Sequence, residues 1–350
     1  MVLLASCSGV GSSAHGQRRS NRSTSSSTGA GHVATTTSRG PTSTTSTTTT
    51  TVAIPSHLPA PRPLTPFGAL SASGQGVWTP AGRPVQGLNA VYETTLVPAG
   101  GAQRAGIAWM DTRLLSARLY SGSISPGGGP YRFTAPVLPR QSASLVAAFN
   151  GGSQMGVAGG GYYTEGRLID PLVAGAASLV IYSDGSVAVG AWGSDVAMTP
   201  NVVAVRQNLV PLVADGRPTA QAASADWQSW GATCGATSCL PTVPGIEHQW
   251  RSGVGVTADG ALVYVTGSAL DPLQLAQLLV QAGVVRGMQL DINPFWTVLV
   301  TYDPPTPGGK AAPSNGSKLL GATEQGPATF FDPLWARDFV TMSARSASTG

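Results

Sequence analysis

The chain has 350 residues, of which 10% are charged, and it contains 45 glycines and 27 prolines. This length can bury one large core or two smaller ones, and the abundance of turn-forming residues excludes a helical bundle. The formal net charge is +4, but six of the 20 basic residues precede the first acidic residue, Glu93, which leaves 14 basic against 16 acidic residues. The folded part therefore lacks the basic surface that binds nucleic acid.

The N-terminal stretch predicts a tether. Residues 8–51 consist mostly of serine, threonine and glycine, and a proline-rich spacer follows as far as Pro66. Such a stretch has too few large apolar side chains to offset the entropy lost on ordering. Its arginines either lie near an anionic membrane or wall polymer, or belong to a solvated linker with no specific partner. We expect a disordered tether over residues 1–66 and one folded domain over residues 67–350.

The three cysteines indicate export. Cys7 ends the sequence Leu-Ala-Ser-Cys, which resembles the lipobox of bacterial lipoproteins, although the usual signal needs an apolar run of roughly 7–15 residues. A start codon placed too late accounts for the short leader, and a chance match is the alternative. Cys234 and Cys239 suit a small disulfide loop in an oxidising compartment and lack the second pair that zinc needs. We expect a secreted or envelope-anchored bacterial protein, whose membrane contact is a lipid on Cys7, without metal or cofactor.

Short apolar runs separated by glycine turns predict a mostly antiparallel sheet. Runs at Val91–Leu96, 106–110 and 145–149 are typical of strands. The dipeptides Asp184-Gly185 and Asp259-Gly260 each lie between two apolar runs, which is a strong hairpin signal.

A helix followed by a buried strand organises the C-terminal half. Asp271 is a natural N-cap for a helix whose apolar residues repeat at i, i+3, i+4 and i+7, and Gly283 ends that helix. The stretch Val284–Leu290 is typical of an interior strand, and Asp291 and Asn293 follow at its C-terminal end. A buried carboxylate costs desolvation energy unless it has partners or a task. Asp291 therefore either caps a neighbouring turn or belongs to a functional site.

Polar residues at three further points are candidates for the same site. Asn150-Gly151-Gly152 follows another apolar strand, where two glycines allow a ligand to approach the backbone closely; a plain turn is the alternative. His248 precedes Arg251 at the start of the second hairpin, and a lone histidine is more often structural than catalytic. Arg337 lies next to Asp338, and the two either form a simple ion pair or reach the site.

Three separated motifs, in this order, carry a resemblance to a known family. They are Asn150-Gly151-Gly152, Arg251-Ser-Gly-Val-Gly-Val with Asp259-Gly260, and the helix that leads to Leu290-Asp291. Together they resemble the phosphodiester glycosidase family over roughly Val91 to Phe339. The resemblance implies an α+β fold with curved, mostly antiparallel sheets packed around a few helices. It also implies hydrolysis of the bond between a sugar anomeric carbon and a phosphodiester oxygen.

The resemblance also implies roles for individual residues. Asp291 is expected to be the catalytic carboxylate, either to stabilise an oxocarbenium-like transition state or to act as general base. Arg251 is expected to hold the phosphodiester oxygens, and Asn150 to bind the sugar or the developing charge with the amides of Gly151 and Gly152. The other residues expected to contact substrate are Asn293, Arg337, Asp338 and His248. The candidates for a second carboxylate are Glu165, Asp111 and Asp338.

The chain departs from the family pattern at its catalytic strand end. The family continues Asp-Gly-Gly-Gly-Ser, whereas this chain reads Asp291-Ile-Asn-Pro-Phe-Trp296. The replacement of the glycines by Ile-Asn-Pro favours an alternative function, a non-catalytic module that binds envelope glycans with the same fold, and so does Trp296 if it fills the pocket. A purely structural domain is favoured if Asp291 is buried against a backbone cap. The enzymatic interpretation requires Asn150, Arg251 and Asp291 to converge in one open pocket.

Overall fold

The computed structural model describes residues 56–68, 74–224, 230, 248–306 and 308–346. These residues form three antiparallel sheets and three short or medium helices, which confirms the predicted sheet-rich α+β fold. Among them, no helix is both long enough and apolar enough to span a bilayer. Cys7, Cys234 and Cys239 lie outside the described residues, and with them the predicted lipid anchor and disulfide.

The strands and helices follow one another along the chain with short connections. In chain order the strands are β1 (Thr79–Pro80), β2 (Val91–Leu96), β3 (Ala105–Met110), β4 (Leu115–Tyr120), β5 (Leu145–Asn150), β6 (Tyr162–Thr164), β7 (Arg167–Asp170), β8 (Ala177–Tyr182), β9 (Val187–Ala191), β10 (Val202–Gln207), β11 (Pro211–Ala214), β12 (Arg217–Pro218), β13 (Gln249–Thr257), β14 (Leu262–Leu270), β15 (Val284–Gln289), β16 (Leu299–Tyr302), β17 (Gly316–Lys318) and β18 (Phe339–Ala344). The helices are α1 (Pro139–Ser142), α2 (Met155–Ala158) and α3 (Pro272–Gln281), and 3₁₀ turns occur at Pro313–Asn315 and Thr329–Phe331.

The largest sheet has eight strands in the order β1-β2-β3-β14-β13-β15-β11-β12. A second sheet, here called the β10 sheet, has the order β7-β6-β10-β8-β9. A third, here called the β5 sheet, has the order β17-β16-β5-β18-β4. Strands β13 and β15, which the sequence marked as carrying site residues, lie in the interior of the eight-stranded sheet, and β5 lies in the interior of its own.

The two predicted hairpins are confirmed. Strands β8 and β9 pair across Asp184-Gly185, and strands β13 and β14 pair across Asp259-Gly260. Gly185 has φ of 78° and Gly260 has φ of 94°, backbone angles that favour glycine over residues with a Cβ atom. The turn chemistry therefore fixes which strands become neighbours.

Helix α3 begins and ends as its sequence predicts. The Asp271 carboxylate accepts a hydrogen bond from the Gln274 amide at 2.6 Å, and the Gln274 side chain accepts one from the Asp271 amide at 3.1 Å. Gly283, with φ of 89°, follows the last turn. Buried Leu275 and Leu278 pack with residues of one face of the eight-stranded sheet, such as Val263. The helix thus covers that face.

The opposite face of the eight-stranded sheet joins the main core. Val254 and Met288 from this sheet pack with Phe149 of the β5 sheet and Leu179 of the β10 sheet. Because β13 has buried neighbours on both faces, its successive side chains enter two different environments. This alternation decides which polar residues of β13 can meet the strand ends of β5 and β15.

The folded part begins before the predicted boundary at residue 67. Leu58 is buried, and its backbone amide donates to the Asp111 carboxylate at 2.7 Å. The indole of Trp78 donates to the Arg62 carbonyl at 2.8 Å, and the Leu64 amide donates to Gly76. The proline-rich spacer therefore contributes ordered residues to the domain, although its composition predicted a tether.

Glu93 on β2 predicts a pH-dependent stability. Burial raises the pKa of its carboxyl to about 7 from 4.5, partly opposed by a hydrogen bond from Thr301. Between those two pH values the folded state holds a proton that the unfolded state releases, so stability is lost as pH rises through this window. We expect wild-type protein to lose about 2–3 kcal/mol between pH 4.5 and pH 8 from this group.

Urea unfolding across that range measures the effect. Glu93→Gln is expected to remove this loss, because its side chain stays neutral throughout. Glu324→Gln, at an exposed position, is the matched control and is expected to keep the wild-type pH dependence. Equal pH dependence in wild type and Glu93→Gln would show that Glu93 does not titrate in this window.

Candidate functional site

The ends of β5, β13 and β15 meet in a buried polar cluster. Asn150 and Asp291 both contact the hydroxyl of Ser252, which is itself fully buried. The Asn150 side-chain amide donates to Ser252 Oγ at 3.0 Å, and the Asp291 backbone amide donates to the same oxygen at 3.2 Å. Two of the three predicted strand ends are therefore joined through a single hydroxyl.

The hydrogen-bonding capacity of Asn150 is filled within the protein. Its Oδ1 accepts from the Tyr264 hydroxyl at 2.7 Å and from the Val298 amide at 3.2 Å, and its Nδ2 also donates to the Gly151 carbonyl. Burial raises the pKa of Tyr264, which keeps its hydroxyl protonated as a donor. Asn150 thus connects the β5 sheet to the eight-stranded sheet.

Asp291 both caps a turn and forms an ion pair. Its Oδ1 accepts from the backbone amides of Ile292 at 2.8 Å and Asn293 at 3.0 Å. Its Oδ2 accepts from Arg337 Nη2 at 2.6 Å. Burial raises the pKa of the Asp291 carboxyl, and the Arg337 charge and the two amides lower it part of the way back. Oδ1 therefore caps a turn, the contact that the sequence analysis associated with a purely structural domain, and Oδ2 is held by Arg337.

Arg337 connects Asp291 to the glycine motif. Its Nη2 also approaches the Gly152 carbonyl at 3.4 Å, and its guanidinium carbon lies 5.2 Å from the ring centroid of Trp296. Arg337 Nε and Trp335 Nε1 are buried and have no hydrogen-bond partner among the described residues. A buried donor without a partner costs about 1–3 kcal/mol, so these two atoms are the places beside the ion pair where a polar partner would lower the free energy.

Trp296, beside Arg337, packs with two further rings and forms with them what we call the aromatic patch: Phe295, Trp296 and Trp335. The Phe295 and Trp296 ring centroids are 4.7 Å apart, and those of Trp296 and Trp335 are 4.9 Å apart. Phe295 is 43% exposed, and neighbouring Leu334 is 79% exposed. Rings that combine an apolar face with partial exposure are typical of ligand-binding surfaces.

Asp338 belongs to a second ion pair, which is fully buried. Arg206 donates to its two carboxylate oxygens, from Nε at 2.9 Å and from Nη2 at 3.3 Å. The Gly151 amide donates to the Asp338 carbonyl at 2.8 Å. Both side chains are at most 1% exposed. The structure thus surrounds Asp338 with protein, in contrast to the substrate contact expected from the sequence.

The glycines of the Asn-Gly-Gly motif are explained by this second pair. A Cβ atom on Gly151 would lie 2.0 Å from Asp338 Oδ2, and one on Gly152 would lie 2.7 Å from Arg206 Cζ. The close approach that the sequence assigned to a ligand is thus made by the protein's own ion pair. The Gly151 amide donates to the Asp338 carbonyl, so in this structure it does not point to a substrate as the sequence analysis expected.

Arg251 lies on the other face of the eight-stranded sheet, and its expected convergence with Asn150 and Asp291 is wrong. Its Nε donates to the Leu270 carbonyl at 2.7 Å, and its Nη1 donates to the Gln289 side chain at 2.6 Å. Adjacent residues of a strand point to opposite faces, and Ser252 occupies the face toward Asn150. Burial lowers the pKa of Arg251 to about 10, which leaves it charged at neutral pH. Arg337 takes the place beside Asp291 that Arg251 was expected to fill.

The remaining predicted residues lie in separate places. His248 Nε2 is 3.8 Å from the Asp271 carboxylate, at the start of α3. Asn293 is exposed, and its side chain accepts from the Phe295 amide at 2.9 Å. Glu165 and Asp111, the proposed second carboxylates, accept backbone hydrogen bonds in other loops. Within the described part of the chain, the cluster itself therefore contains Asp291 and Asp338 as its carboxylates.

Asn208 is a buried member of the cluster that the sequence did not single out. Its Oδ1 accepts from the Ser153 amide at 3.0 Å. Its Nδ2 donates to the carbonyls of Gln289 at 2.9 Å and Leu290 at 2.8 Å. It therefore holds the residue after the glycine motif against the end of β15, and so fixes the position of Asp291.

Comparisons with known proteins give solved structures at low sequence identity and with TM-scores below 0.5. The sequence matches no known protein family and no curated protein. One similar solved structure is the zebrafish N-acetylglucosamine-1-phosphodiester alpha-N-acetylglucosaminidase catalytic domain, auto-inhibited by its pro-peptide, at 17% identity and TM-score 0.44 over 77% of this chain and 88% of that one. A hypothetical protein from Synechocystis has 11% identity and TM-score 0.41, over 75% of this chain and 64% of that one. A putative exported protein from Burkholderia pseudomallei has 13% identity and TM-score 0.33, over 69% and 74%.

Proposed function

We propose that the protein is a hydrolase that removes a sugar from a phosphodiester-linked glycan or glycoconjugate of the bacterial cell envelope, to which a lipid on Cys7 anchors it. Because Arg251 lies on the other face of the sheet, the proposal assigns its role to Arg337. One observation carries it: a buried carboxylate with a raised pKa is paired with this arginine, at a strand end beside partly exposed aromatic rings. Buried carboxylates whose pKa values are shifted by their surroundings are more frequent at functional sites.

The two members of the pair suit the two halves of the substrate. Cleavage at an anomeric carbon develops positive charge on the sugar, and the Asp291 carboxylate stabilises this charge. Alternatively, the carboxylate serves as the base that accepts a proton from the attacking water. The planar guanidinium of Arg337 matches the phosphodiester oxygens, and its buried Nε has no hydrogen-bond partner among the described residues. A phosphodiester leaves readily, so the reaction needs little help from a general acid.

Substrate binding frees Asp291 from its ion pair. The phosphodiester anion competes for Arg337, and transfer of the guanidinium to that anion releases Asp291 Oδ2. Once the positive charge of Arg337 has moved away from Asp291, the pKa of this buried carboxyl rises further, and the carboxylate becomes a stronger base. Trp296, already 5.2 Å from the guanidinium, and Phe295 provide ring faces for the sugar.

A glycan-binding module is the second candidate, and specific contacts favour it. Both oxygens of Asp291 and the whole amide of Asn150 are engaged within the protein. If the ion pair stays closed when ligand binds, the aromatic patch holds a glycan without cleaving it. In that case Asp291 serves as a cap and Arg337 as a support for Trp296.

Incubation with a panel of glycosyl phosphodiesters in ¹⁸O-labelled water distinguishes these functions. The hydrolase is expected to release free sugar and an intact phosphomonoester, with the label on the sugar hydroxyl because the anomeric C–O bond breaks. Label on the phosphate would indicate P–O cleavage and contradict the proposed mechanism. Saturable binding without release would support the glycan-binding module, and absence of both binding and release would overturn both proposals.

A further inference from the structure

A cleft whose lining includes none of the residues of the Asp291 cluster lies on the β5 sheet at its β4 edge. Its volume is about 330 Å³, and three arginines line it: Arg118 on β4, Arg132 in the loop that follows, and Arg140 on α1. No aspartate or glutamate is among the described residues that line it. Arg118 alternates with Ala117 and Leu119, which are buried in the main core, so it points away from that core. We call this site the arginine cleft.

Two of the three arginines of this cleft pack on an aromatic ring, and none of the three forms an ion pair within the described part of the chain. All three are exposed. The guanidinium carbon of Arg118 lies 4.1 Å from the ring centroid of Phe133, and that of Arg132 lies 5.2 Å from it. Stacking on an aromatic ring orders a guanidinium while leaving its N–H groups for another partner. The nearby Glu165 carboxylate accepts hydrogen bonds from the backbone amides of Arg132 and Phe133 and lines no part of this cleft.

Uncharged polar groups complete the lining. They are Tyr120, Gln141, Ser144, Thr341 and Ser343, together with Ser116. Burial raises the pKa of Tyr120 to about 12, and the charges of Arg118 and Arg140 act in the opposite direction. The Tyr120 hydroxyl therefore remains neutral. The charges of Arg118 and Arg140 act on it because all three residues line the same cleft.

We propose that the arginine cleft binds a small organic phosphate that also carries hydroxyl groups, such as a phosphorylated sugar unit. Guanidinium groups recognise phosphate oxygens through paired, charge-assisted hydrogen bonds, and the hydroxyl and amide groups match sugar hydroxyls. A volume of about 330 Å³ is at the lower end of the range for small-molecule sites, which suits one such unit. The proposal uses neither Asp291 nor Arg337 and holds whether or not the protein is a hydrolase.

Calorimetric titration of the whole protein tests this assignment, with glucose 1-phosphate, inorganic phosphate and glucose as separate probes at low ionic strength. Glucose 1-phosphate is expected to bind most tightly. Arg140→Gln is expected to weaken its binding by about tenfold, the loss of one charge-assisted contact. Arg140 is the preferred position because Arg118 and Arg132 also support Phe133. Arg217→Gln, which removes the same charge from an exposed residue of β12, is expected to change the affinity by less than about twofold.

Further outcomes separate this site from the Asp291 cluster. Arg337→Gln is expected to leave the Arg140-dependent binding in place, and Arg140→Gln is expected to leave any phosphodiester turnover unchanged. Equal weakening by Arg140→Gln and Arg217→Gln would overturn the proposal, because the effect would then be one of net charge. Absence of binding by wild type, or equal affinity for inorganic phosphate and glucose 1-phosphate, would also contradict it.

Discussion

Asp291→Asn is expected to lower turnover of a glycosyl phosphodiester by at least about a thousandfold, a loss typical of removing a central catalytic group. Asparagine has the same shape, and its Oδ1 can still accept from the Ile292 and Asn293 amides. It cannot carry the negative charge that stabilises an oxocarbenium-like state or accepts a proton from water. The expected loss is therefore in kcat, measured by release of free sugar under saturating substrate.

Loss of stability must be separated from loss of catalysis in this variant. Removing one partner of a buried ion pair costs about 3–5 kcal/mol, and Asp291 is the partner of Arg337. Asp338→Asn is the matched control, because it breaks the equally buried pair with Arg206. We expect both variants to unfold at lower urea concentration, but only Asp291→Asn to lose turnover under conditions where both are folded. Normal turnover by folded Asp291→Asn would remove Asp291 from the mechanism.

Gly151→Ala is expected to destabilise the protein by about 3–5 kcal/mol, the cost of disrupting a buried ion pair. The new methyl group would lie 2.0 Å from Asp338 Oδ2 and 2.7 Å from the Asp338 carbonyl oxygen. Asp338 must then move, which breaks its contacts with Arg206 and with the Gly151 amide. Equilibrium urea unfolding measures the change directly.

Gly156→Ala provides the control for this substitution. Gly156 lies in helix α2, and a Cβ atom added there has nothing within 4 Å. We expect a neutral or slightly stabilising effect, because alanine has the higher helix propensity. If Gly151→Ala were as stable as Gly156→Ala, the glycines of the motif would not be explained by the ion pair beneath them.

The elements that the sequence predicted well are those with local signals. The capping residues of α3, the glycine after it and the two Asp-Gly turns are each set by neighbouring residues. Strands β2 and β5 were visible as apolar runs. The meeting of Asn150 with Asp291 was expected from the family resemblance, and in the structure it is made through Ser252.

The face of the sheet on which Arg251 lies could not be predicted from the sequence. The two faces of a strand can be told apart when one is polar and the other apolar. Strand β13 is covered on both faces, by α3 and by the main core, so its pattern does not reveal which face holds Ser252. The family resemblance pointed to Arg251, whereas the residue that joins Asn150 to Asp291 is its neighbour.

The partners of the two buried ion pairs could not be predicted from the sequence either. Arg337 and Asp338 are adjacent, and the sequence allowed them to pair with each other. In the structure each pairs with a residue distant in sequence, Asp291 and Arg206. Arg206 had a signal of its own, because a charged residue in the apolar run of β10 requires a buried partner. The identity of that partner depended on how the β10 and β5 sheets pack together.

A crystal structure of the protein with a non-hydrolysable glycosyl phosphonate tests most directly whether Asp291 and Arg337 form the site. The proposed function predicts phosphonate oxygens within hydrogen-bond distance of Arg337, the sugar ring against Trp296 or Phe295, and the anomeric carbon facing Asp291. A ligand bound elsewhere, with Arg337 still closed on Asp291, would contradict it.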